Sequence, residues 1–367
     1  MSKWLIRMPF NLLKWAFCAV GAAALLLTAL VATPLTRPPE LHSISQARRT
    51  VDFSGLPMVE RFQARDGTWL GFRHYAASVP ATGRAAIVVH GSSGSSGGTI
   101  HALSQALATH GVETFAVDMR GHGASGTRGD IGYVGQLEDD LADFVAVLRK
   151  TGSSAPLTLV GHSSGGGFAL RVAGSPIQNL FERTVLLAPY LGYDAPSTRP
   201  NSGGWARADI PRILGLLALR KLGITCCEAL PVLALAVPPN SEKTLVSAYT
   251  DRLMRNFAVR GDFRRDAAAT KPLTIISGAD DELMFADKYA EAVRGAAVPV
   301  DVRLLDGINH MGIVAAPKAV SLIAEDVATR SVKPPPEEWP TRVSGADGTV
   351  LRNTVTKSAR SSSSWPT

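Results

Sequence analysis

Short runs rich in apolar residues alternate with amphipathic segments through the middle of the chain. Runs of about five or six such residues, bounded by turn residues, predict buried strands. These runs are residues 85–90, 113–118, 157–161, 184–188, Leu273–Gly278 and Val300–Leu305. Segments with apolar residues at helical spacing lie near residues 100–110, 137–150, 164–173, 285–294 and 317–330. Strands that alternate with helices predict an α/β fold with a mostly parallel sheet, covered by helices on both faces.

Two segments depart from this alternation of predicted strands and helices. Residues 58–64 and 68–75 alternate around Asp66-Gly67, which predicts a β-hairpin ahead of the parallel strands. Later, about eighty residues separate the strand that ends near Pro189 from the one that starts near Leu273. A structureless loop of that length is uncommon in a compact domain. We therefore expect residues 190–270 to form a helical insertion, a lid that folds over the sheet.

The N-terminal segment is the most hydrophobic part of the chain. Lys3, Arg7 and Lys14 precede a charge-free run from residue 15 to residue 36. About 20 apolar residues suffice to span a bilayer, whereas a signal peptide has a shorter apolar region and a small-residue cleavage site. We expect residues 1–36 to be an uncleaved membrane anchor, with the rest of the chain on the extracytoplasmic side. Cleavage as a signal, followed by secretion, is the alternative.

The remaining boundaries follow from composition. Residues 37–57 are polar and contain prolines, so we interpret them as a linker to a catalytic domain at 58–330. Residues 331–367 contain Pro334-Pro335-Pro336 and a serine run, with too few apolar residues for a core, which predicts a disordered tail. The length of 367 residues accommodates one domain of roughly 250 residues with these appendages.

Charge and cysteine content exclude several functional classes. The formal net charge of +7 is dispersed, and no basic block interleaved with aromatic residues predicts nucleic-acid binding. A basic surface near anionic lipid is the preferred interpretation. Three cysteines, one of them in the N-terminal apolar run, predict no disulfide framework. The histidines have no metal-ligand spacing, so we expect neither a metal nor a cofactor.

Gly161-His162-Ser163-Ser164-Gly165 is the most informative motif in the chain. A Gly-x-Ser-x-Gly sequence between a strand and a helix places the serine at the tip of a sharp turn. The flanking residues are glycines because the backbone segments approach so closely there that a Cβ atom has no room. Ser163 is therefore the candidate nucleophile. The same pattern recurs at residues 94–98, but inside a Gly/Ser loop without the strand–helix junction. We interpret that second copy, centred on Ser96, as a coincidence.

A serine nucleophile needs a base that is oriented by a third group. In a fold with this serine turn, the acid and then the histidine follow in the sequence. The strand at Leu273–Gly278 leads into Gly278-Ala279-Asp280-Asp281, and the last strand leads into Asn309-His310. His310 is the candidate base, and the acid lies in the Asp280-Asp281 pair.

These motifs resemble those of α/β-hydrolases of the monoacylglycerol lipase and lysophospholipase type, a serine aminopeptidase S33-like group. The resemblance covers roughly residues 58–330 and includes 88–91, 118–125, 161–165, 278–281 and 309–310. It implies that the acid lies three residues after Gly278, which selects Asp281. It also implies that the Ser92 N–H and the Ser164 N–H form the oxyanion hole. The proline-rich tail and the anchor lie outside the resemblance.

The resemblance implies a serine hydrolase that cleaves carboxylic esters through an acyl-enzyme on Ser163. The expected substrates are small molecules, namely lipid-like acyl esters such as monoacylglycerols or lysophospholipids. Residues 190–270 contain more basic than acidic residues and several aliphatic runs, which favours acyl chains over a peptide amino terminus. An aminopeptidase or amidase that uses the same triad is the second interpretation. A non-catalytic binding protein with a hydrolase fold is the third.

Overall fold

The computed structural model describes residues 10–329 apart from residues 79, 239–240, 242–243, 268–270 and 297–298. A mostly parallel sheet of eight strands lies at its centre. In their order across the sheet, the strands are β1 (Glu60–Gln63), β2 (Trp69–Tyr75), β4 (Glu113–Val117), β3 (Ala85–Val89), β5 (Leu157–His162), β6 (Arg183–Leu187), β10 (Leu273–Gly278) and β11 (Val300–Leu305). β1 and β2 form the predicted antiparallel hairpin, and β2 also pairs antiparallel with β4. From β4 to β11 across the sheet, all neighbouring strands pair in parallel.

Helices cover the two faces of this sheet. The flanking helices are α3 (Ile100–Thr109), α4 (Gln136–Lys150), α5 (Ser164–Ala173), α9 (Tyr289–Ala292), α10 (Gly312–Ala315) and α11 (Pro317–Thr329). On one face, Ile87 and Val89 of β3 pack in the same core as Phe144 of α4 and Phe168 of α5. On the other face, Val88 packs with Leu103 of α3. Because both faces of β3 are buried, the strand is apolar throughout, which confirms the predicted α/β architecture.

The segment between β6 and β10 differs from the predicted helical insertion. It contains a three-stranded antiparallel sheet as well as helices. Its elements are β7 (Ala206–Ala208), β8 (Pro231–Leu235), β9 (Ala248–Thr250), α6 (Ile210–Lys221), α7 (Asp251–Asn256) and α8 (Phe263–Asp266). The predicted helical insertion is therefore only partly helical, because the apolar run at Pro231–Leu235 forms the central strand of this small sheet.

The N-terminal region forms two helices, α1 (Phe10–Val31) and α2 (His42–Arg49). The segment Leu12–Val31 of α1 is long enough and, in its mean hydropathy, apolar enough to cross a membrane, and its side chains are not buried in the protein. The segment interpreted as a linker is therefore partly helical, and Leu41 and Ile44 pack against the core of the domain. The predicted disorder of residues 331–367 concerns a segment that lies outside the described residues.

Candidate active site

Ser163 occupies the sharp turn between β5 and α5. Its backbone has φ 55° and ψ −118°, a conformation that costs a non-glycine residue of order 1–3 kcal/mol. The turn is held from both sides, because the Ser163 N–H donates to Leu187 O at 2.9 Å and its carbonyl accepts from Gly167 and Tyr190, each at 3.0 Å. The surrounding structure thus fixes a strained backbone that presents the hydroxyl group.

The flanking glycines are required by close backbone contacts. A Cβ on Gly161 would lie 2.2 Å from the carbonyl oxygen of Gly165, and a Cβ on Gly165 would lie 2.3 Å from that of His90. Any side chain at either position would force β3, β5 and α5 apart. Ser96, the centre of the second Gly-x-Ser-x-Gly copy, lies instead in an irregular loop, where its N–H donates to Asp118 at 2.6 Å.

Asp281 and His310 follow β10 and β11, two adjacent parallel strands, and form a hydrogen-bonded pair. The His310 Nδ1–H donates to Asp281 Oδ2 at 2.9 Å, and both side chains are almost fully buried. The other oxygen, Oδ1, accepts the N–H groups of Leu283 at 2.8 Å and Met284 at 2.9 Å. Asp280 is exposed. The geometry therefore pairs His310 with Asp281, the residue that the resemblance selects.

Electrostatics keep this carboxyl group ionised. Burial raises the pKa of Asp281. The electrostatic interaction with His310, the hydrogen bond from His310 and the two backbone N–H groups of Leu283 and Met284 together outweigh burial, so the pKa of Asp281 is lowered from its ordinary value. A carboxylate at this position accepts the proton on Nδ1, which directs the lone pair of the neutral imidazole to Nε2. His310 can then accept a proton on the nitrogen that does not contact Asp281.

Three further histidines lie close to the turn, and burial keeps each of them neutral. The Met119 N–H donates to His90 Nε2 at 3.2 Å, and the ring in turn donates from Nδ1 to Gly91 O at 2.7 Å. Burial, followed by the charge of His310, lowers the pKa of His162 to about 3. The His162 Nε2–H donates to the carbonyl oxygen of His310 at 3.2 Å and thereby supports the backbone of the candidate base. Burial likewise lowers the pKa of His122 well below its ordinary value.

The loop after β3 carries Ser92, the candidate oxyanion residue. The Ser92 hydroxyl accepts a hydrogen bond from Trp205 Nε1 at 2.7 Å. The N–H of the next residue, Ser93, donates to the Tyr249 hydroxyl at 2.7 Å, whereas the Ser92 N–H has no acceptor among the described residues. Ser164 is the first residue of α5, where a backbone N–H has no partner within the helix. Both proposed donors are therefore available.

Residues of the insertion hold this loop in place, and sequence reasoning missed them. The Tyr249 hydroxyl, besides accepting from Ser93, lies 2.7 Å from Nε2 of His122. Because His122 Nδ1 faces the carbonyl of Arg120 at 3.3 Å, the neutral ring accepts the Tyr249 proton on Nε2. Trp205 and Tyr249 lie more than 100 residues from their partners in the chain. No local signal in the sequence indicates such contacts.

Ser163 and His310 line one cavity of about 490 Å³, a volume typical of small-molecule sites. Ser92 and Trp205 line it as well. Another part of the wall comes from the segment that we interpreted as a linker, and the sequence analysis did not predict this contribution. The residues are Glu40, Ile44, Ser45, Arg48, Arg49 and Phe53. The described residues contain no cluster of histidine, cysteine and carboxylate side chains suited to a metal ion.

Comparisons with known proteins bear on the family and the fold of the chain. The family model "Serine aminopeptidase, S33", a hydrolase family, matches residues 81–314. A monoglyceride lipase homolog of monkeypox virus is 27% identical over 141 residues, which are 38% of this chain and 45% of that protein. The chain thus matches less than half the length of this curated relative.

Solved structures with the same fold have low sequence identity. A soluble variant of monoglyceride lipase from Saccharomyces cerevisiae, in complex with a substrate analog, aligns with a TM-score of 0.54 and 16% identity over 75% of this chain and 94% of its own. The monoacylglycerol lipase of Paleococcus ferrophilus aligns with a TM-score of 0.50 and 18% identity over 71% and 99%. At such identities, the similarity shows the α/β-hydrolase fold.

Proposed function

Since this chain belongs to the serine aminopeptidase S33 family of hydrolases, we propose that it is a serine esterase. Its proposed substrates are lipid-like acyl esters such as monoacylglycerols or lysophospholipids. The observation that carries the proposal is that Ser163 and His310 line the same cavity. Ser163 lies at a strained strand-to-helix turn, and Nδ1 of His310 is hydrogen-bonded to the buried carboxylate of Asp281.

In this proposal, His310 Nε2 removes the proton of Ser163 while Oγ attacks the carbonyl carbon of the ester. Asp281 holds the ring in position and stabilises the imidazolium that forms. The N–H groups of Ser92 and Ser164 stabilise the negative charge on the carbonyl oxygen, a contribution worth about 100- to 1,000-fold in rate per donor. His310 then protonates the leaving alcohol, and water releases the acyl group from Ser163 by the reverse sequence.

The charges of the cavity wall support an ester over an aminopeptidase substrate. Capture of a free amino terminus requires a carboxylate, and Glu40 is the one acidic side chain among the described wall residues. That carboxylate already accepts a hydrogen bond from the Ser45 hydroxyl at 2.7 Å. The same wall includes apolar side chains, among them Trp205, Leu245 and Leu283. These contacts suit an acyl chain.

Chain length of the acyl group is expected to control turnover. Each methylene that is buried against the apolar wall contributes up to about 0.8 kcal/mol, which corresponds to about fourfold in kcat/KM. We therefore expect p-nitrophenyl esters of medium or longer acids to be better substrates than p-nitrophenyl acetate. A flat profile across this ester series, with strong cleavage of aminoacyl anilides, would favour the aminopeptidase alternative.

Covalent labelling separates an enzyme from a binding protein with the same fold. A fluorophosphonate reacts with a serine only when a neighbouring base activates the hydroxyl group. Labelling that depends on Ser163 supports the esterase proposal. An unlabelled protein that still binds acyl lipids supports the non-catalytic alternative.

We further propose that α1 is a retained membrane anchor. The Arg212 guanidinium on α6 donates to the carbonyl oxygens of Val31 and Thr33, and the Thr33 hydroxyl donates to Asp209 at 2.8 Å. A Cβ on Gly215 would lie 3.0 Å from Val31, so the two helices approach closely. Cleavage near residue 32 would break these contacts, which supports retention of the segment.

Deletion of residues 1–36 is expected to move the protein from the membrane to the soluble fraction. Because the deletion retains α2, which lines the cavity, and every element from β1 onward, the shortened protein should still hydrolyse a short soluble ester. Fractionation and immunoblotting of the full-length protein provide the control. Full-length protein at its full mass in the soluble fraction would contradict the anchor, and soluble protein about thirty residues shorter would indicate a cleaved signal. Protease access to a C-terminal tag in intact cells tests the extracytoplasmic orientation.

A further inference from the structure

Part of the active-site wall comes from residues that precede the region matched by the family model. Glu40, Ser45, Arg48, Arg49 and Phe53 line the cavity that contains Ser163 and His310, whereas the family match begins at residue 81. These residues lie on α2 and the short stretches beside it. The segment between the anchor and the catalytic domain therefore contacts whatever occupies the cavity.

This part of the wall is packed against the catalytic domain. Leu41 and Ile44 contact the hydrophobic core, and Val51 is buried. The Phe53 ring stacks on His101 of α3, with 6.0 Å between ring centroids and an interplanar angle of 18°. The guanidinium carbon of Arg48 lies 5.8 Å from the centroid of the same Phe53 ring. These contacts hold Arg48 beside the cavity.

Among the described residues, the two arginines of this wall have no carboxylate partner. Neither Arg48 nor Arg49 forms an ion pair within the part of the chain that the structure describes. Arg48 is half-buried and Arg49 is exposed, whereas the buried Arg120 and Arg183 are paired with Asp140 at 2.7 Å and Asp326 at 2.5 Å. Glu40, the acidic side chain of the wall, accepts the Ser45 hydroxyl instead. The cavity wall thus carries two guanidinium groups that form no ion pair with the described residues.

We propose that Arg48 and Arg49 bind the phosphate group of the substrate, so that the enzyme selects lysophospholipids over uncharged monoacylglycerols. This inference rests on the proposed esterase function. A guanidinium group presents a planar array of donors that matches two phosphate oxygens at once. In the reaction, the bond between Ser163 Oγ and the acyl carbon forms and the bond from that carbon to the glycerol oxygen breaks. The phosphate stays on the glycerol product throughout.

The test compares two substrates with the same acyl chain, 1-acylglycerol and 1-acylglycerol 3-phosphate, with the full-length protein in a non-ionic detergent. The measured quantity is the ratio of kcat/KM for the phosphate-bearing substrate to that for the uncharged one. We expect the double variant R48Q/R49Q to lower this ratio roughly ten- to a hundredfold, as expected for the loss of charge-assisted hydrogen bonds. A matched control, R61Q/K318Q, removes two exposed cations outside the cavity and should keep the wild-type ratio.

An unchanged ratio in R48Q/R49Q, or an equal fall in the control, would overturn the assignment of the two arginines. A binding measurement separates this result from failure of the esterase proposal itself. An ether-linked analogue of 1-acylglycerol 3-phosphate cannot be hydrolysed, and its dissociation constant is measured for the same three proteins. If the wild type hydrolyses neither ester, the esterase proposal fails. The phosphate-binding role of Arg48 and Arg49 is then supported only if R48Q/R49Q binds the ether lipid more weakly than the control variant does.

Discussion

Replacement of Ser163 by alanine is expected to abolish ester hydrolysis, with a fall in kcat of about 10⁴- to 10⁶-fold. The variant removes the atom that would form the acyl-enzyme but retains a Cβ, so the backbone keeps the strain at φ 55°. Replacement by glycine would relax that strain and change stability at the same time. Turnover of a p-nitrophenyl ester and fluorophosphonate labelling are the measurements.

Ser96→Ala is the matched control for this experiment. Ser96 is buried at the centre of the second Gly-x-Ser-x-Gly copy and is held through its backbone N–H, which the substitution leaves in place. We expect this variant to keep wild-type turnover and labelling. Retained hydrolysis by a Ser163→Ala protein with an unchanged thermal unfolding curve would refute the assignment of the nucleophile.

The central sheet was predictable because its information is local. Parallel strands that are buried on both faces consist of short apolar runs between turn residues, and the predicted limits at Leu273–Gly278 and Val300–Leu305 are those of the structure. Gly161 and Gly165 also carry local information, since a Cβ at either position would meet backbone atoms at 2.2–2.3 Å. The strand–serine–helix turn could therefore be read from five consecutive residues.

The insertion was less predictable because its strands pair with distant partners. The run Pro231–Leu235 is short and apolar, and such a run has no periodicity that separates a strand from a buried helix. Its register is set by Ala206–Ala208 and by Ala248–Thr250, which the sequence does not mark as neighbours. The contribution of α2 to the cavity was missed for the same reason. Its packing depends on Phe53 meeting His101, a contact between residues that lie far apart in the chain.

Asp281→Asn is expected to lower kcat by about 10⁴-fold, the effect seen when the acid of a serine triad is replaced by its amide. The hydrogen bonds around this side chain explain why. Oδ1 accepts the N–H groups of Leu283 and Met284, so the amide oxygen of an asparagine must occupy that position. Its NH₂ group then faces His310 Nδ1, which has to become an acceptor. The proton moves to Nε2, and the ring can no longer take the proton of Ser163.

Asp280→Asn provides an isosteric control one residue away. The Asp280 side chain is exposed, and its backbone N–H, which the substitution retains, donates to Ile308 O at 3.0 Å. We expect this variant to retain most of its turnover. Both variants are compared by kcat on one ester and by thermal unfolding, because a tautomer effect lowers kcat in a protein that remains folded. A larger fall in kcat for Asp280→Asn than for Asp281→Asn would assign the acid of the triad to residue 280. Equal and small falls in kcat would show that His310 acts without a carboxylate partner.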